Sequence, residues 1–313
     1  MPLSSKAGPR PRGATFHAGA ICDPEELQQQ LAHWNHRRLA PSSPHANWAR
    51  EAADDARMLW LEGNWIEGFR EEVAASAAEV PSDVAGFLAW FEALKTNGPG
   101  QNDPLFPWLA HEATAEEMNW FLTQEAAGEA GFDDLVAMCQ VKAPTEAKLE
   151  LARNYWDEMG RGNEGGMHGP MLDAAVCALG LKPTIESTIC QSLALANTLT
   201  AFATTRRYAW HAIGALGVVE LTAPGRVACI AAGLKRLSHP PMVRKYFELH
   251  AHLDVKHSEA WNAHVLRPLV AERPERARFL AEGALMRLVC GARCFEAYRS
   301  HLWRSPKRMI AAE

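Results

Sequence analysis

The chain has 313 residues, of which 48% are hydrophobic and 22% charged, and its formal net charge is -5. This balance is ordinary for a globular protein and lacks the basic surface of a nucleic-acid-binding protein. No apolar run reaches the roughly 18 residues of a membrane-spanning helix, and the N-terminus lacks the apolar core of a signal peptide. Seven cysteines without a C-x-x-C pair are typical of free thiols. We therefore expect a cytoplasmic protein that binds neither nucleic acid nor membrane.

Helical signals dominate the chain after a basic, proline-containing segment (residues 1–22) that we predict to be a disordered tail. Apolar residues recur at three- and four-residue spacing, and alternating strand patterns are nearly absent. The sequence therefore predicts an all-α fold with helices near residues 24–36, 46–76, 82–95, 115–129, 132–141, 145–160, 167–180, 186–203, 206–221, 224–237, 241–271 and 274–303.

Several helix boundaries have physical markers. Thr114 and Thr145 each precede a helical run with acidic residues in its first turn, which is typical of an N-cap. Pro224 predicts a break between two helices, and the glycine-rich segment 160–166 predicts another. We expect residues 23–110 to form an N-terminal helical region packed on a bundle formed by residues 111–313.

The most informative stretch is a pattern of two histidines and one aspartate within the predicted helix 241–271. His250, Asp254 and His257 fall within about a 60° arc of one helix face. Iron, manganese or zinc could bind to such a stripe. The same three residues could instead form a metal-free cluster in which the aspartate is hydrogen-bonded between the two histidines. His252 points to the opposite side, and His264 lies too far along the axis for the same ion, so we expect it to pack nearby.

One helix cannot complete a coordination sphere, so facing helices must supply further ligands. Glu158 and His168 flank the glycine-rich link, although each could instead be a surface or capping residue. Glu220 lies in the most apolar part of the chain, where a buried carboxylate needs a metal or an arginine. We prefer Glu125 to Glu129 as a further ligand, because Glu129 lies beside the break at 131.

Charge counting favours two ions over one. Glu125, Glu158, Glu220 and Asp254 would carry four negative charges, which two Fe(II) ions per chain would balance. The Glu-x-x-His pairs that mark ferritin-like diiron proteins do not occur.

With Glu158 and His168, then Glu220, then His250-x3-Asp254-x2-His257, the chain resembles the haem-oxygenase-like diiron oxidases and oxygenases, often described as iron-containing redox enzymes. The resemblance covers about residues 105–300. It implies a bundle of about seven core helices that binds two irons with three histidines and three or four carboxylates, and that activates O2 to oxidise a small molecule. The spacer between Glu158 and His168 is longer than in several members, and the first 100 residues or so are extra.

The remaining expectations concern the pocket and the partners. Tyr246 lies one turn before His250, so we expect it to act catalytically beside the metal, and Arg206 and Arg207 are candidates to bind a substrate carboxylate. The other candidate pocket walls are Tyr155, Trp156, Tyr208 and Trp261. An external electron donor and a homodimer are further expectations. The alternatives are a mononuclear or cofactorless oxidase of the same fold, and a non-catalytic helical binding protein.

Overall fold

The computed structural model describes residues 23–41, 44, 47–128 and 131–303, and this part of the chain is helical without a β-strand. The predicted all-α fold is therefore confirmed, whereas the predicted tail 1–22 and Glu129 lie outside the described residues. The helices are α1 (Pro24–Leu39), α2 (Trp48–Ala78), α3 (Val84–Asn97), α4 (Leu105–His111), α5 (Ala115–Gly128), α6 (Phe132–Cys139), α7 (Thr145–Glu158), α8 (His168–Ala178), α9 (Cys190–Thr204), α10 (Ala209–Arg236), α11 (Pro241–Trp261), α12 (Arg267–Glu272) and α13 (Arg276–Leu302). Helix α4 has no counterpart among the predicted helices.

Only one of the two predicted threonine caps forms. Thr114 and Glu117 make a reciprocal capping box at the start of α5: the Glu117 backbone N–H donates to Thr114 Oγ1 at 3.2 Å, and the Thr114 N–H donates to Glu117 Oε2 at 2.8 Å. The predicted cap at Thr145 is wrong, because α7 already begins there and Pro144 occupies the N-cap position. Pro144 fixes the backbone entry into the helix without a side-chain hydrogen bond.

The predicted break at Pro224 is also wrong. Helix α10 runs continuously from Ala209 to Arg236 with Pro224 buried inside it. Proline lacks the backbone N–H that would donate a helical hydrogen bond to the carbonyl oxygen four residues earlier. In α10 that carbonyl belongs to Glu220. Packing on several sides holds the two halves in one helix despite this lost hydrogen bond.

The long helix predicted over 241–271 is interrupted by one π-helical turn, Asn262–Leu266, between α11 and α12. The extra residue of a π-turn rotates the next helix relative to the preceding one. His264 lies within this turn, half exposed and 3.7 Å from Glu146, so the expectation that it packs near the metal site is wrong.

Helices α10, α11 and α13 form the centre of the bundle, and two glycines allow α10 and α13 to approach closely. A Cβ atom on Gly214 would lie 1.9 Å from the Leu280 carbonyl oxygen, and one on Gly283 would lie 2.0 Å from that of His211. Neither position can hold a side chain without separating the helices.

The N-terminal helices pack on the rest of the bundle. The Asn35 amide of α1 donates to the Asn197 carbonyl oxygen of α9 at 2.9 Å, and Arg70 of α2 pairs with Glu282 of α13 at 2.9 Å. Phe87 and Phe91 of α3 belong to the same buried core as α10 and α13. The domain boundary at residue 110 stays a prediction.

One helical stretch of the described chain, 206–236, is long and apolar enough to cross a membrane by length and composition alone. Of its most apolar window, 61% is buried inside the structure. This burial is typical of the core helix of a soluble protein, and the cytoplasmic location stays a prediction.

Candidate metal centre

The first cluster of metal-ligand side chains joins three helices. Glu158 ends α7, His168 begins α8 and His250 lies in the middle of α11, and all three are buried. One ligand atom from each lies within 4.8 Å of the other two. His168 Nδ1 lies 2.7 Å from Glu158 Oε2, and the His168 and His250 rings lie 4.6 Å apart. We call these three residues the first triad.

The glycine-rich link folds so that its two ends meet. Met159 and Met167 form an antiparallel bridge, and two short 3-10 turns lie between them. Gly160 has a φ of +59°, and a Cβ atom there would lie 2.4 Å from the carbonyl carbon of Gly166. The long spacer between Glu158 and His168 is therefore a closed loop, which places both side chains at one point.

The second triad consists of Glu220 of α10 with Asp254 and His257 of α11, again buried and within 4.8 Å of one another. His257 Nδ1 lies 3.4 Å from Glu220 Oε1. The Asn154 amide donates to the same Glu220 oxygen at 2.6 Å and orients the carboxylate. The structure thus brings together all three residues of the predicted stripe, divided between two triads.

Neighbouring groups determine which ring nitrogen of each histidine is available to bind a metal. His250 Nδ1 donates to the Tyr246 carbonyl oxygen at 2.7 Å, which leaves Nε2 as its ligand atom. His257 Nε2 lies 3.2 Å from Asp157 Oδ2, which leaves Nδ1 towards Glu220. Such outer partners are the usual support of metal-bound histidines. The sequence reasoning passed over Asp157 and Asn154, although Asn154 precedes Glu158 by one helical turn.

Both triads contain buried polar atoms that lack a hydrogen-bond partner. These atoms are His168 Nδ1 in the first triad, and His257 Nδ1 and Asp254 Oδ1 in the second. The short approach of His168 to Glu158 does not have hydrogen-bond geometry, since His168 Nδ1 remains unpaired. Buried polar groups are normally satisfied, so three orphaned ligand atoms fit the positions of bound cations. Imidazole and carboxylate donors suit iron.

Burial and crowded carboxylates shift the pKa values of the second triad. Burial and the neighbouring Glu220 carboxylate raise the pKa of Asp254 to about 9. Burial alone would lower the pKa of His257, but the carboxylates of Glu220, Asp157 and Asp254 raise it to about 9. Without a metal, protons therefore neutralise the carboxylates of this triad. In the first triad, burial lowers the pKa of His250 to about 4, so His250 is a neutral imidazole, the form that binds metal.

Glu125 lies outside both triads. Its Oε1 accepts a hydrogen bond from the Tyr298 hydroxyl at 2.9 Å, and burial raises its pKa. It lines the same cavity as Glu158, Glu220 and Asp254, so the structure places it near the site but not among the clustered ligands. Its role as a metal ligand stays a prediction.

A cavity of about 180 Å³ adjoins both triads. Of the aromatic residues expected in its wall, Tyr246 lines it, with its ring 4.2 Å from that of His250. The catalytic role of Tyr246 stays a prediction. The other four side chains do not line this cavity: Tyr155 packs in the core, Trp156 is exposed, Tyr208 donates to Glu67, and Trp261 donates to the Ile213 carbonyl. An aromatic residue in an apolar helical pattern usually packs in the core, as most of these do.

The arginines of the cavity are not the ones that the sequence suggested. Arg206 donates to the Val141 carbonyl, and Arg207 pairs with Glu67, both at the surface. Arg226 of α10 and Arg287 of α13 line the cavity instead. A signal was present in the sequence, because each of these two arginines interrupts an apolar run.

Comparison with known proteins agrees with this geometry. The family described as "iron-containing redox enzyme" matches residues 119–292. Two crystal structures of a CADD-like protein of unknown function from Nostoc punctiforme, at 2.00 and 1.35 Å resolution, each share 18% sequence identity with the chain. They cover 70% and 71% of this chain and 98% and 97% of that protein, with TM-scores of 0.54 and 0.52. At this identity the likeness shows the fold alone. No curated protein matches the chain.

Proposed function

The chain belongs to the iron-containing redox enzyme family, and from this premise we propose that it is a non-haem diiron oxidase or oxygenase that uses O2 to oxidise a small organic substrate. The observation that carries the proposal is the pair of buried triads with unpaired ligand atoms beside one cavity. Each triad would hold one Fe(II) ion. The substrate would occupy the cavity.

Charge balance supports two ions. Glu158, Glu220 and Asp254 carry three negative charges when ionised, and Asp157 adds a fourth through its contact with His257. The nearby Arg161 and His257 keep the pKa of Asp157 below its usual value although burial would raise it, so Asp157 is ionised at neutral pH. Arg161 balances this fourth charge, and one ferrous ion would still leave one of the three buried triad carboxylates uncompensated.

The side chains of this protein would position and enclose the reaction. Bound iron would supply the O2 and redox chemistry. Tyr246 and Asp157 hold His250 and His257 in one ring orientation, and Asn154 holds Glu220. The apolar part of the cavity wall would keep bulk water from the reacting centre. Reducing equivalents would come from the substrate or from an external donor.

Oxygen consumption tests the proposal, with His252 as a matched control on the same helix. His250 is buried in the first triad, whereas His252 is exposed. We expect Fe(II)-loaded protein to consume O2 faster than the same Fe(II) in buffer. His250→Ala should abolish the difference and His252→Ala should preserve it. Equal O2 uptake by wild type and His250→Ala would overturn the proposal.

A further inference from the structure

We propose that Tyr298 and Trp120 form an oxidation relay that joins the cavity beside the triads to the protein surface at His301. The relay would carry single oxidising equivalents out of the cavity when no substrate consumes them. This use of the relay rests on the proposed function, whereas the transfer of an electron between the two side chains does not.

The inner end of the relay is the phenol of Tyr298, which is 1% exposed and lines the cavity. Its hydroxyl donates to Glu125 Oε1 at 2.9 Å, and the Ser192 hydroxyl, 2.8 Å away, is left to donate to it. A phenol loses an electron far more easily when its proton leaves at the same time, and Glu125 is in position to take that proton. Burial raises the pKa of Glu125, against the opposing effects of the Tyr298 hydrogen bond and of nearby arginine charges, so its carboxylate is a stronger base than an ordinary glutamate.

The inner end shares its cavity with the triads. Tyr298 and Glu125 line the same cavity as Glu158 of the first triad and Asp254 of the second. Burial raises the pKa of both Glu125 and Asp254, and the charge of the same residue, Arg226, opposes the shift at both. The carboxylate that receives the Tyr298 proton and the second triad therefore belong to one electrostatic environment.

Tyr298 packs against two aromatic rings of α5, of which one is electron-rich. The ring centre of Phe121 lies 5.6 Å from that of Tyr298 and the ring centre of Trp120 lies 5.8 Å away, both nearly perpendicular to it. These are separations of aromatic pairs in contact, about 4.5–7 Å. A phenylalanine ring is too hard to oxidise to exchange electrons with tyrosine, whereas an indole loses an electron at a potential close to that of a phenol. Trp120 is therefore the next member of the relay.

Trp120 connects the buried phenol with the solvent. It is partly buried, and its ring stacks on that of the exposed His301, with the centres 3.9 Å apart and the planes 7° apart. Tyr298 and His301 are three residues apart on α13, so Trp120 packs across one turn of that helix. Two consecutive ring contacts thus lead from the cavity wall to an exposed side chain.

One oxidising equivalent would leave the cavity in three steps. Tyr298 gives one electron to an oxidised metal centre and its phenolic proton to Glu125. Trp120 then gives one electron to Tyr298, which takes its proton back from Glu125. A thiol in solution, on its way to a disulfide, gives one electron to Trp120 and its proton to water, and this step draws the others to completion.

Photochemical oxidation of the metal-free protein tests the relay independently of iron. Tris(bipyridine)ruthenium(III), generated by a laser flash with a cobalt(III) ammine as electron acceptor, oxidises accessible side chains, and EPR spectroscopy of frozen samples detects tyrosyl radicals. Because Tyr298 is buried, an oxidant in solution should reach it through Trp120. We expect Tyr298→Phe to remove part of the wild-type tyrosyl signal and Trp120→Phe to remove the same part. Trp48→Phe, at a tryptophan that is 80% exposed, should match wild type.

Transient absorption provides a second measurement if Trp120→Phe does not fold. The tryptophan radical should persist longer in Tyr298→Phe than in wild type, because the side chain that reduces it has been removed. An equal tyrosyl signal in wild type and Tyr298→Phe, an unchanged signal in Trp120→Phe, or a tryptophan radical whose lifetime is the same in wild type and Tyr298→Phe would overturn the inference.

Exposure of the Fe(II)-loaded protein to O2 without substrate tests the use of the relay. By mass spectrometry, Trp120→Phe should accumulate more oxidised side chains in the cavity wall than wild type or Trp48→Phe. Equal oxidation in wild type and Trp120→Phe would overturn the protective use. A working photochemical relay in a chain that takes up no iron would sink the proposed function alone.

Discussion

The imidazole Nδ1 of His168 lies 2.7 Å from the carboxylate Oε2 of Glu158, although a glycine-rich link separates the two residues in the sequence. The link closes through the Met159–Met167 bridge, so its length does not separate its ends. The geometry of the first triad therefore depends on the backbone of this loop as much as on the ligands themselves.

Gly160→Ala should empty the first triad while leaving the second intact. The new Cβ would lie 2.4 Å from the Gly166 carbonyl carbon, at a φ of +59° that side chains rarely adopt. We expect the loop to open, His168 to move from Glu158 and bound iron to fall from two ions to one per chain. The control is Gly165→Ala, whose Cβ would meet Asn163 at an ordinary 3.7 Å. Unchanged iron content in Gly160→Ala would contradict this account of the loop.

Asp157→Ala should weaken iron binding without removing a ligand. Asp157 Oδ2 accepts a hydrogen bond from His257 Nε2 at 3.2 Å and so holds the ring with Nδ1 towards Glu220. Loss of such an outer partner weakens metal affinity roughly 10- to 100-fold. Competition with a chelator measures the affinity. Glu146→Ala, an exposed carboxylate on the same helix, should match wild type, and an Asp157→Ala protein with wild-type affinity would show that His257 needs no such support.

Iron binding should release protons and weaken as the pH falls. In the metal-free protein the pKa values of Asp254 and His257 are both raised to about 9, so both groups are protonated at pH 7. Metal binding requires the deprotonated ligands, so affinity should rise with pH towards 9, with release of about two protons per chain at pH 7. Calorimetry in two buffers of different ionisation enthalpy measures this release. Identical binding enthalpies in the two buffers would show that no proton leaves.

Glu282→Gln should destabilise the bundle without removing a residue of either triad. Glu282 is buried and pairs with Arg70, His211 and Arg278. Although burial alone would raise the pKa of Glu282, these partners lower it from 4.5 to about 2. Because the folded pKa is depressed, this stabilisation is present above pH 4.5 and is lost as the pH falls towards 2.

Urea unfolding measures the effect of Glu282→Gln. At pH 7 the free energy of unfolding should fall by roughly 2–3 kcal/mol, and the difference from wild type should narrow between pH 4.5 and 2. Glu275→Gln at the exposed Arg273 pair is the control. A pH-independent difference would mean that the Glu282 charge is not what stabilises the fold.

The stripe of His250, Asp254 and His257 could be predicted because it depends only on helical phase, and the exposed His252 confirms that phase. Helix type was also predictable from apolar spacing over most of the chain. The division of these residues between two triads could not be predicted from the sequence, because it depends on where α7, α8 and α10 meet α11. Asp157 illustrates the limit: it points away from Glu158 on its own helix but towards His257 on another.

Local rules failed where tertiary packing outweighed them. The sequence predicts a helix break at Pro224, but the surrounding helices bury this proline within α10. His264 is in phase with the stripe on an ideal helix, but the π-turn carries it to the surface. Arg226 is a single charged residue within an apolar run of the sequence. The cavity that it lines exists only in the folded chain, so its position there could not be predicted.

Anaerobic Fe(II) titration followed by Mössbauer spectroscopy tests the central claim, that each triad holds one iron. We predict two ferrous ions per wild-type chain, one in His168→Ala and one in His257→Ala, with two retained in His252→Ala. The Mössbauer parameters of the single ion should differ between the first two variants, because different triads remain. A wild-type chain that binds one ion or none, or triad variants that still bind two, would contradict the claim.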